Sequence, residues 1–293
     1  MKLLKDARDY QIIFLSLFLS VGIIYRDWTL QLDGLFLLII VCCGTQIIFN
    51  SLIKTFNYYQ QNYQFNSLHT LNLIDFSNVK SALITGLGLS LLLRANHSET
   101  LIIAGCLAIA SKFIFTYHHK HWFNPANFGI ILALALTNDA WVSPGQWGSD
   151  SWYLLLFIAT GAMVLNQVGR WETTVIFLGV YGSLEAIYNY YLGWNIEVLI
   201  HQLMSGSLLV FAFFMLTDPR SIPNSNKSRI IWSIIIAFVS FILKDFFYIN
   251  TAIFWALFII SPLTVLLDFI WQDNRFRWQR LANQNLVLEH KLI

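Results

Sequence analysis

Two short polar segments interrupt an otherwise apolar sequence, and both carry residues that could hold a ligand. The first, residues 124–129, contains Asn124, Pro125, Asn127 and Gly129. Asparagine is a good N-cap and proline suits the first helical position, so the segment predicts a helix that begins sharply at Pro125. Free backbone N–H groups and the positive end of the helix dipole would lie at this tip. Such a tip attracts a phosphate or an electron-rich ring carbonyl, and Gly129 would let a planar ligand approach the backbone.

Two other interpretations of this segment exist. Ordinary capping of a helix at a membrane surface would use the same asparagine and proline. His118, His119 and His121 precede the tip and invite a metal site, but no carboxylate accompanies them. The sequence therefore predicts no metal ligands.

The second polar segment covers residues 217–223 and contains Asp218, Pro219 and Arg220. Proline disfavours helix in the residue before it, so Asp218 is predicted to end a helix. An acid and an arginine would then flank a bend, where the carboxylate could accept a ring N–H and Arg220 could approach a ligand oxygen. A polar helix end, with Arg220 anchored to lipid headgroups, explains the same residues.

Two further charged residues lie inside apolar segments. Lys112 stands about one turn from the end of its segment. It either extends its ammonium group to the membrane surface or stabilises a reduced, anionic cofactor. Glu185 is a lone acid in an apolar segment, which is by default a site candidate, but local pairing is the favoured interpretation.

The composition indicates which fold must position these residues. The chain has 293 residues, of which 57% are hydrophobic and 12% charged, and its mean hydropathy is +0.59. Soluble domains carry about 25% charged residues, so a soluble globule, a disordered chain, a secreted disulfide scaffold and a nucleic-acid binder are excluded. The sequence predicts an all-α polytopic membrane protein with about ten transmembrane helices of about 20 residues each. The apolar segments place these helices at 10–25, 34–53, 81–93, 100–117, 126–142, 151–168, 173–191, 196–217, 229–246 and 249–271.

Lysine and arginine set the predicted orientation, because positively charged loops stay on the cytoplasmic side. With the N-terminus in the cytoplasm, only Arg26, Arg94 and Lys244 of the 18 lysines and arginines fall on the outer side. Both termini are therefore predicted to be cytoplasmic, with residues 272–293 as a basic tail. The predicted location is a bacterial inner membrane, and the lipid bilayer is the first predicted partner.

A weak internal repeat relates the two halves of the chain. Residues 83–86 (Leu-Ile-Thr-Gly) match residues 203–206 (Leu-Met-Ser-Gly) at equivalent predicted helices. Five helices per half would make the second half enter the bilayer upside down, and inverted repeats place ligand sites at their interface. The predicted repeats are residues 1–143 and 144–271.

Several motifs resemble those of one family. Residues 81–87 resemble its Ser-Ala-x-x-Thr-Gly-Leu, and residues 123–129 resemble its Phe-Asn-Pro-Ala-x-x-Gly. Residues 205–219 resemble its Ser-Gly to Phe-Phe-Met-Ala-Thr-Asp-Pro, and Lys112 stands where the family has a lysine. The chain thus resembles the family of large membrane subunits that the sodium-pumping NADH:quinone reductase and the Rnf electron transport complex share.

The resemblance implies ten helices in an inverted repeat and bound flavins, one of them an FMN esterified to a threonine in a Ser-Gly-Ala-Thr motif. Residues 159–162 read Ala-Thr-Gly-Ala and residues 172–174 read Glu-Thr-Thr, so neither has that order. A covalent FMN is therefore not expected, and the chain is predicted to be a divergent member. A noncovalent flavin, FMN or riboflavin, is still implied between the halves. The residues predicted to hold it are Thr85, Gly86, Lys112, Asn124, Pro125, Asn127, Gly129, Ser205, Gly206, Asp218 and Arg220.

The resulting hypothesis is an integral membrane electron-transport subunit that relays electrons within a membrane oxidoreductase, with coupling to ion transport as an extension. Other redox subunits and a quinone are the predicted partners, and nucleic acid is not. The sequence has no phosphate loop or dinucleotide fingerprint, so the chain is not expected to bind NADH by itself. Two alternatives are a transporter or channel that uses the repeat interface as a pore, and a cofactor-free membrane scaffold.

Overall fold

The chain is mostly helical. The computed structural model describes residues 6–26, 32–61, 76, 78–117, 120–144, 151–274 and 276. Its helices are α1 (Ala7–Arg26), α2 (Leu32–Gln61), α3 (Val79–Leu92), α4 (Ser98–Ile114), α5 (Pro125–Leu136), α6 (Ser151–Val168), α7 (Trp171–Leu192), α8 (Ile196–Leu203), α9 (Gly206–Val210), α10 (Asn226–Asp245), α11 (Ala252–Ile260) and α12 (Leu263–Ile270). A π-helical turn, Phe211–Met215, directly continues α9.

Four short strands form two antiparallel pairs that the all-α prediction missed. Strand β1 (Leu93–Ala95) pairs with β4 (Ala140–Val142), and β2 (Thr116–Tyr117) pairs with β3 (Lys120–His121). Pairs of two or three residues carry too little alternation for a sequence pattern to reveal them. The β2–β3 hairpin connects α4 to α5, and we name this end of the helix bundle the hairpin end.

The helices are apolar enough for a membrane. Among the described residues, Leu32–Tyr58 and Asn226–Asp245 are each long and apolar enough to cross a bilayer. The number rises to four if each of two bent helix pairs forms one span, and shorter apolar helices accompany them. By length and composition the chain is therefore a helical membrane protein. The ten spans, the inner-membrane location and the cytoplasmic termini stay predictions, and most of the predicted tail 272–293 lies outside the described residues.

Two helices predicted to be continuous are broken. The segment predicted at 196–217 bends by 49° between α8 and α9, and the segment predicted at 249–271 bends by 48° between α11 and α12. At the second break, Pro262 lacks the backbone N–H that would continue the helical ladder. Hydropathy alone does not register such breaks, since the residues on both sides remain apolar.

Helix α5 is unusually short for a membrane helix. It has 12 residues, which at 1.5 Å per residue gives about 18 Å, well below the ~30 Å hydrocarbon core. It packs on α4 and α3, and it meets the equally short α11 in the interior. The helices of residues 1–143 pack mainly on each other, as do α7, α10 and α11. The inverted repeat itself stays a prediction.

Candidate functional site

The two polar segments meet at the hairpin end. The side-chain amide of Asn124, at the tip of α5, donates to the backbone carbonyl of Met215 at 3.4 Å. The backbone N–H of His121 donates to the carbonyl of Arg220 at 3.0 Å. Segments about 90 residues apart are thus held against each other, as a site between the two halves of the chain requires.

The tip of α5 is capped as the sequence predicts. Asn124 is the N-cap, its Oδ1 accepts the backbone N–H of Asn127 at 3.0 Å, and Pro125 is the first helical residue. Both asparagines are buried, with 7% and 0% of their surfaces exposed. The cap therefore satisfies the Asn127 N–H, which is no longer free to bind a ligand.

Asp218 ends the π-helical segment and stabilises its own turn. Its Oδ1 accepts the backbone N–H of Arg220 at 3.1 Å, and its Oδ2 accepts the hydroxyl of Ser221 at 3.2 Å. Burial raises the pKa of the Asp218 carboxyl, although these hydrogen bonds and the Arg220 charge act to lower it. Both carboxylate oxygens thus already serve the turn.

Two adjoining cavities lie beside this turn. The smaller, here named the turn cavity, has a volume of about 70 Å³ and is lined by both halves of the chain, including Gln11, Thr85, Asn124 and Asp218. The larger, named the lysine cavity, has about 270 Å³ and includes Lys112. The residues that line both cavities are Ser81, His121 and Arg220.

Lys112 is almost fully buried at the boundary of α4, with 6% of its surface exposed. Its Nζ lies 3.3 Å from both the carbonyl oxygen and the hydroxyl of Ser81. Burial and the positive charges of Arg220 and Lys112 lower the pKa of His121 to about 3. A neutral imidazole therefore accompanies the two cations at neutral pH.

A flavin does not fit either cavity in this arrangement. Pockets that hold cofactors and drug-sized ligands measure about 300–1,000 Å³, whereas these cavities measure about 70 and 270 Å³. The prediction of a flavin at this place would require the Asp218 turn and the α5 tip to move apart. Noncovalent flavin binding thus stays a prediction.

Four predicted site residues have other surroundings. A Cβ on Gly129 would lie 2.7 Å from the Ala104 carbonyl oxygen, so this glycine serves the contact of α5 with α4 and leaves no room for a planar ligand. A Cβ on Gly86 would lie 3.2 Å from the α2 backbone, for the same kind of reason. Ser205 donates to the carbonyl of Pro144 at 3.1 Å and, with Gly206, begins α9 away from the hairpin end. These four residues do not join Asp218.

Sequence reasoning missed several residues that line the cavities. Gln11 lies in α1, and Gln46 and Asn50 lie one turn apart in α2, all of them buried. An i, i+4 pair of amides inside an apolar helix was an available signal, because such residues share one face. His121 was considered only as a metal ligand, and His118 and His119 lie outside the described residues.

The Asp218 turn lies within the segment that known proteins share. Residues 137–277 match the NQR2, RnfD, RnfE family. The resemblance to this family is therefore confirmed over the second half of the chain. The motifs at 81–87 and 123–129 lie outside the matched segment, and their similarity to the NQR2, RnfD, RnfE family stays a prediction.

Relatives whose names make them a subunit of an ion-translocating oxidoreductase complex agree with this match. The protein of Vibrio vulnificus (strain YJ016) is 27% identical over 119 residues, which cover 40% of this chain and 34% of that protein. The protein of Psychromonas ingrahamii is 27% identical over 141 residues (47% and 39%), and that of Stutzerimonas stutzeri is 28% identical over 139 residues (46% and 38%). The chain thus matches little more than a third of the length of these relatives.

Proposed function

We propose that the chain is a membrane subunit of an ion-translocating oxidoreductase complex, and that the turn cavity is its working site. One observation carries the proposal. The buried Asp218 turn, inside the segment that matches the family, lies against the capped tip of α5 from the other half of the chain. A buried carboxylate between two halves, beside a broken helix, is typical of ion and proton pathways.

The size and lining of the turn cavity favour an ion or water over a large cofactor. A buried water needs about 10–15 Å³ of free volume, so a cavity of about 70 Å³ has room for a few waters or one small ion with its remaining hydration. Its polar lining supplies the Asp218 carboxylate, the Thr85 hydroxyl and the Asn124 amide. In this proposal the chain provides an ion step, and partner subunits supply electron transfer.

The test uses the full chain with its native partners, purified in mild detergent and reconstituted into liposomes. We expect partner subunits with redox cofactors to co-purify, and Asp218→Asn to abolish electron-driven cation uptake while the partners remain bound. Asp273→Asn, at an exposed position, is the matched control and should leave uptake unchanged. A chain that purifies alone contradicts the proposed complex. Retained partners with unchanged uptake would indicate a scaffold.

An absorbance spectrum of the same preparation tests the flavin prediction. Flavin bands that stay with the chain after its partners are removed would support a noncovalent flavin, and release of the flavin on denaturation would exclude a covalent bond. The cavity between the halves also favours one alternative, a channel or transporter. Solute flux in liposomes that contain the chain alone would support this alternative, and flux that requires a reductant would contradict it.

A further inference from the structure

The lysine cavity contains more positive than negative charge. Its lining includes two cations, Lys112 and Arg220, and no carboxylate among the described residues. The nearest acid is Asp218, which lines the turn cavity and uses both carboxylate oxygens in its own turn. Two cations therefore share one carboxylate that is already engaged.

Neutral groups compensate Lys112 poorly. Its only hydrogen bonds among the described residues are the two to Ser81, both at the long distance of 3.3 Å. An ammonium group that is 94% buried loses most of its hydration, and such a charge is costly unless it is paired or well hydrogen-bonded. A buried charge without its partner is more costly than a buried ion pair. The cavity beside Lys112 thus has the electrostatics of an anion site.

The remaining lining offers hydrogen bonds to an anion. Asn50, Asn78 and Thr116 contribute polar side chains to the same cavity. Helix α3 begins here, and its N-cap, Asn78, makes no side-chain cap hydrogen bond. The positive end of the α3 dipole therefore adds to the charges of Lys112 and Arg220.

We propose that the lysine cavity binds a phosphate group, held by Lys112 and Arg220 beside the start of α3. A cavity of about 270 Å³ accepts a phosphate with its first substituent but is too small for a nucleotide. Arginine and lysine together are the usual phosphate ligands in proteins. The phosphate can come from a lipid headgroup at the end of the bundle or from a free phosphate compound, and this inference does not depend on the proposed redox complex.

The experiment measures phosphate binding by the purified full chain in a neutral detergent. Inorganic phosphate is titrated by calorimetry, with chloride at equal ionic strength as the reference. In parallel, the unfolding temperature is compared in nanodiscs of phosphatidylglycerol and of phosphatidylcholine. Phosphate binding in detergent identifies a free-phosphate site. Stabilisation only by phosphatidylglycerol, with that lipid retained in native mass spectra, identifies a lipid headgroup site.

Substitutions assign the effect to this cavity. Lys112→Gln and Arg220→Gln should each weaken binding of the positive probe by about tenfold or more, since each removes a charge-assisted contact. Lys80→Gln removes an exposed lysine that pairs with Asp9 at the same end of α3, and it should leave binding unchanged. Lys112→Arg retains the charge and should retain binding.

The stability of these variants separates an anion site from a structural lysine. In phosphate-free detergent, Lys112→Gln should unfold at the same temperature as the wild type or higher, because it removes a buried cation. A lower unfolding temperature, together with unchanged probe binding in Arg220→Gln, would overturn the proposal. So would no response to either probe, or equal weakening by Lys80→Gln. If Lys112→Gln fails to fold, Arg220→Gln and Lys112→Arg decide the matter by the same titrations.

Discussion

The side-chain amide of Asn127 donates a hydrogen bond of 3.1 Å to the backbone carbonyl oxygen of Phe254. This bond joins the first turn of α5 to the first turn of α11, the two short helices that meet in the interior. Both residues are buried, with 0% and 1% of their surfaces exposed. A polar bond between apolar helices has no water to replace it, so it fixes how the two helices are aligned.

Replacement of Asn127 by alanine should therefore weaken the contact between α5 and α11. The change removes the donor to Phe254 and leaves a small cavity, and loss of a buried hydrogen-bond partner costs about 1–3 kcal/mol. We expect the free energy of unfolding in detergent to fall by about that amount. Asn96→Ala, at an exposed position, serves as the control. Equal stabilities for the two variants would contradict the structural role of the amide.

The local features of the site could be predicted from the sequence. The cap of α5 depends on Asn124 and Pro125 alone, and the bend at Asp218 depends on the proline that follows it, so neither needs tertiary information. The apolar segments likewise predicted most helices. Even the pairing of Glu185 was predicted, and its Oε1 accepts Lys244 Nζ at 2.6 Å.

The tertiary features could not be predicted. Hydropathy does not show which face of a helix meets a neighbour, so Gly129 was interpreted as a ligand contact although it packs on Ala104. Ser205 and Gly206 were assigned to the site by analogy with Thr85 and Gly86, but a repeat in sequence does not bring its copies together in space. The sizes of the cavities depend on side-chain packing and follow from no local rule.

Gly129 provides a direct test of this packing explanation. In Gly129→Ala the new Cβ would lie 2.7 Å from the Ala104 carbonyl oxygen and 2.8 Å from the Ala108 Cβ, so α4 and α5 must separate. Overpacking of this kind costs about 1–3 kcal/mol, and the unfolding temperature should fall accordingly. Gly44→Ala has no atom within 4 Å of its new Cβ and should be neutral or stabilising. If Gly129→Ala is as stable as Gly44→Ala, helix packing does not explain the glycine.

The ion pair of Glu185 and Lys244 should respond asymmetrically to substitution. The Glu185 side chain is 2% exposed and the Lys244 side chain is 27% exposed. Lys244→Met leaves a buried carboxylate without its cation, which costs about 3 kcal/mol or more. Glu185→Gln leaves a lysine that can still reach water and lies 3.9 Å from Asp245.

We therefore expect chemical unfolding in micelles to show a clearly larger loss of stability for Lys244→Met than for Glu185→Gln. The double variant should recover much of the loss of Lys244→Met, because it no longer buries an unpaired charge. Additive losses in the double variant would show that the two side chains act independently.

His121 should make the stability of the protein depend on pH in a predictable direction. Burial and the neighbouring charges of Arg220 and Lys112 lower its pKa in the folded chain to about 3, from an ordinary value of 6.5. Between these two values only the unfolded chain takes up a proton, so acid favours unfolding. The contribution of His121 is therefore complete above pH 6.5 and is lost as the pH falls below it. Asp218 acts in the opposite direction, because its raised pKa makes the folded chain bind the proton more readily.

His121→Asn isolates this effect, since the amide does not titrate while Asp218 contributes equally to both proteins. From about pH 7 to about pH 5, the unfolding temperature of the wild type should fall more than that of His121→Asn. His201→Asn, at an exposed position in α8, should retain the pH dependence of the wild type. Parallel curves for the wild type and His121→Asn would mean that His121 is protonated in the folded chain. The lysine cavity would then hold a third positive charge, which would strengthen its attraction for phosphate at low pH.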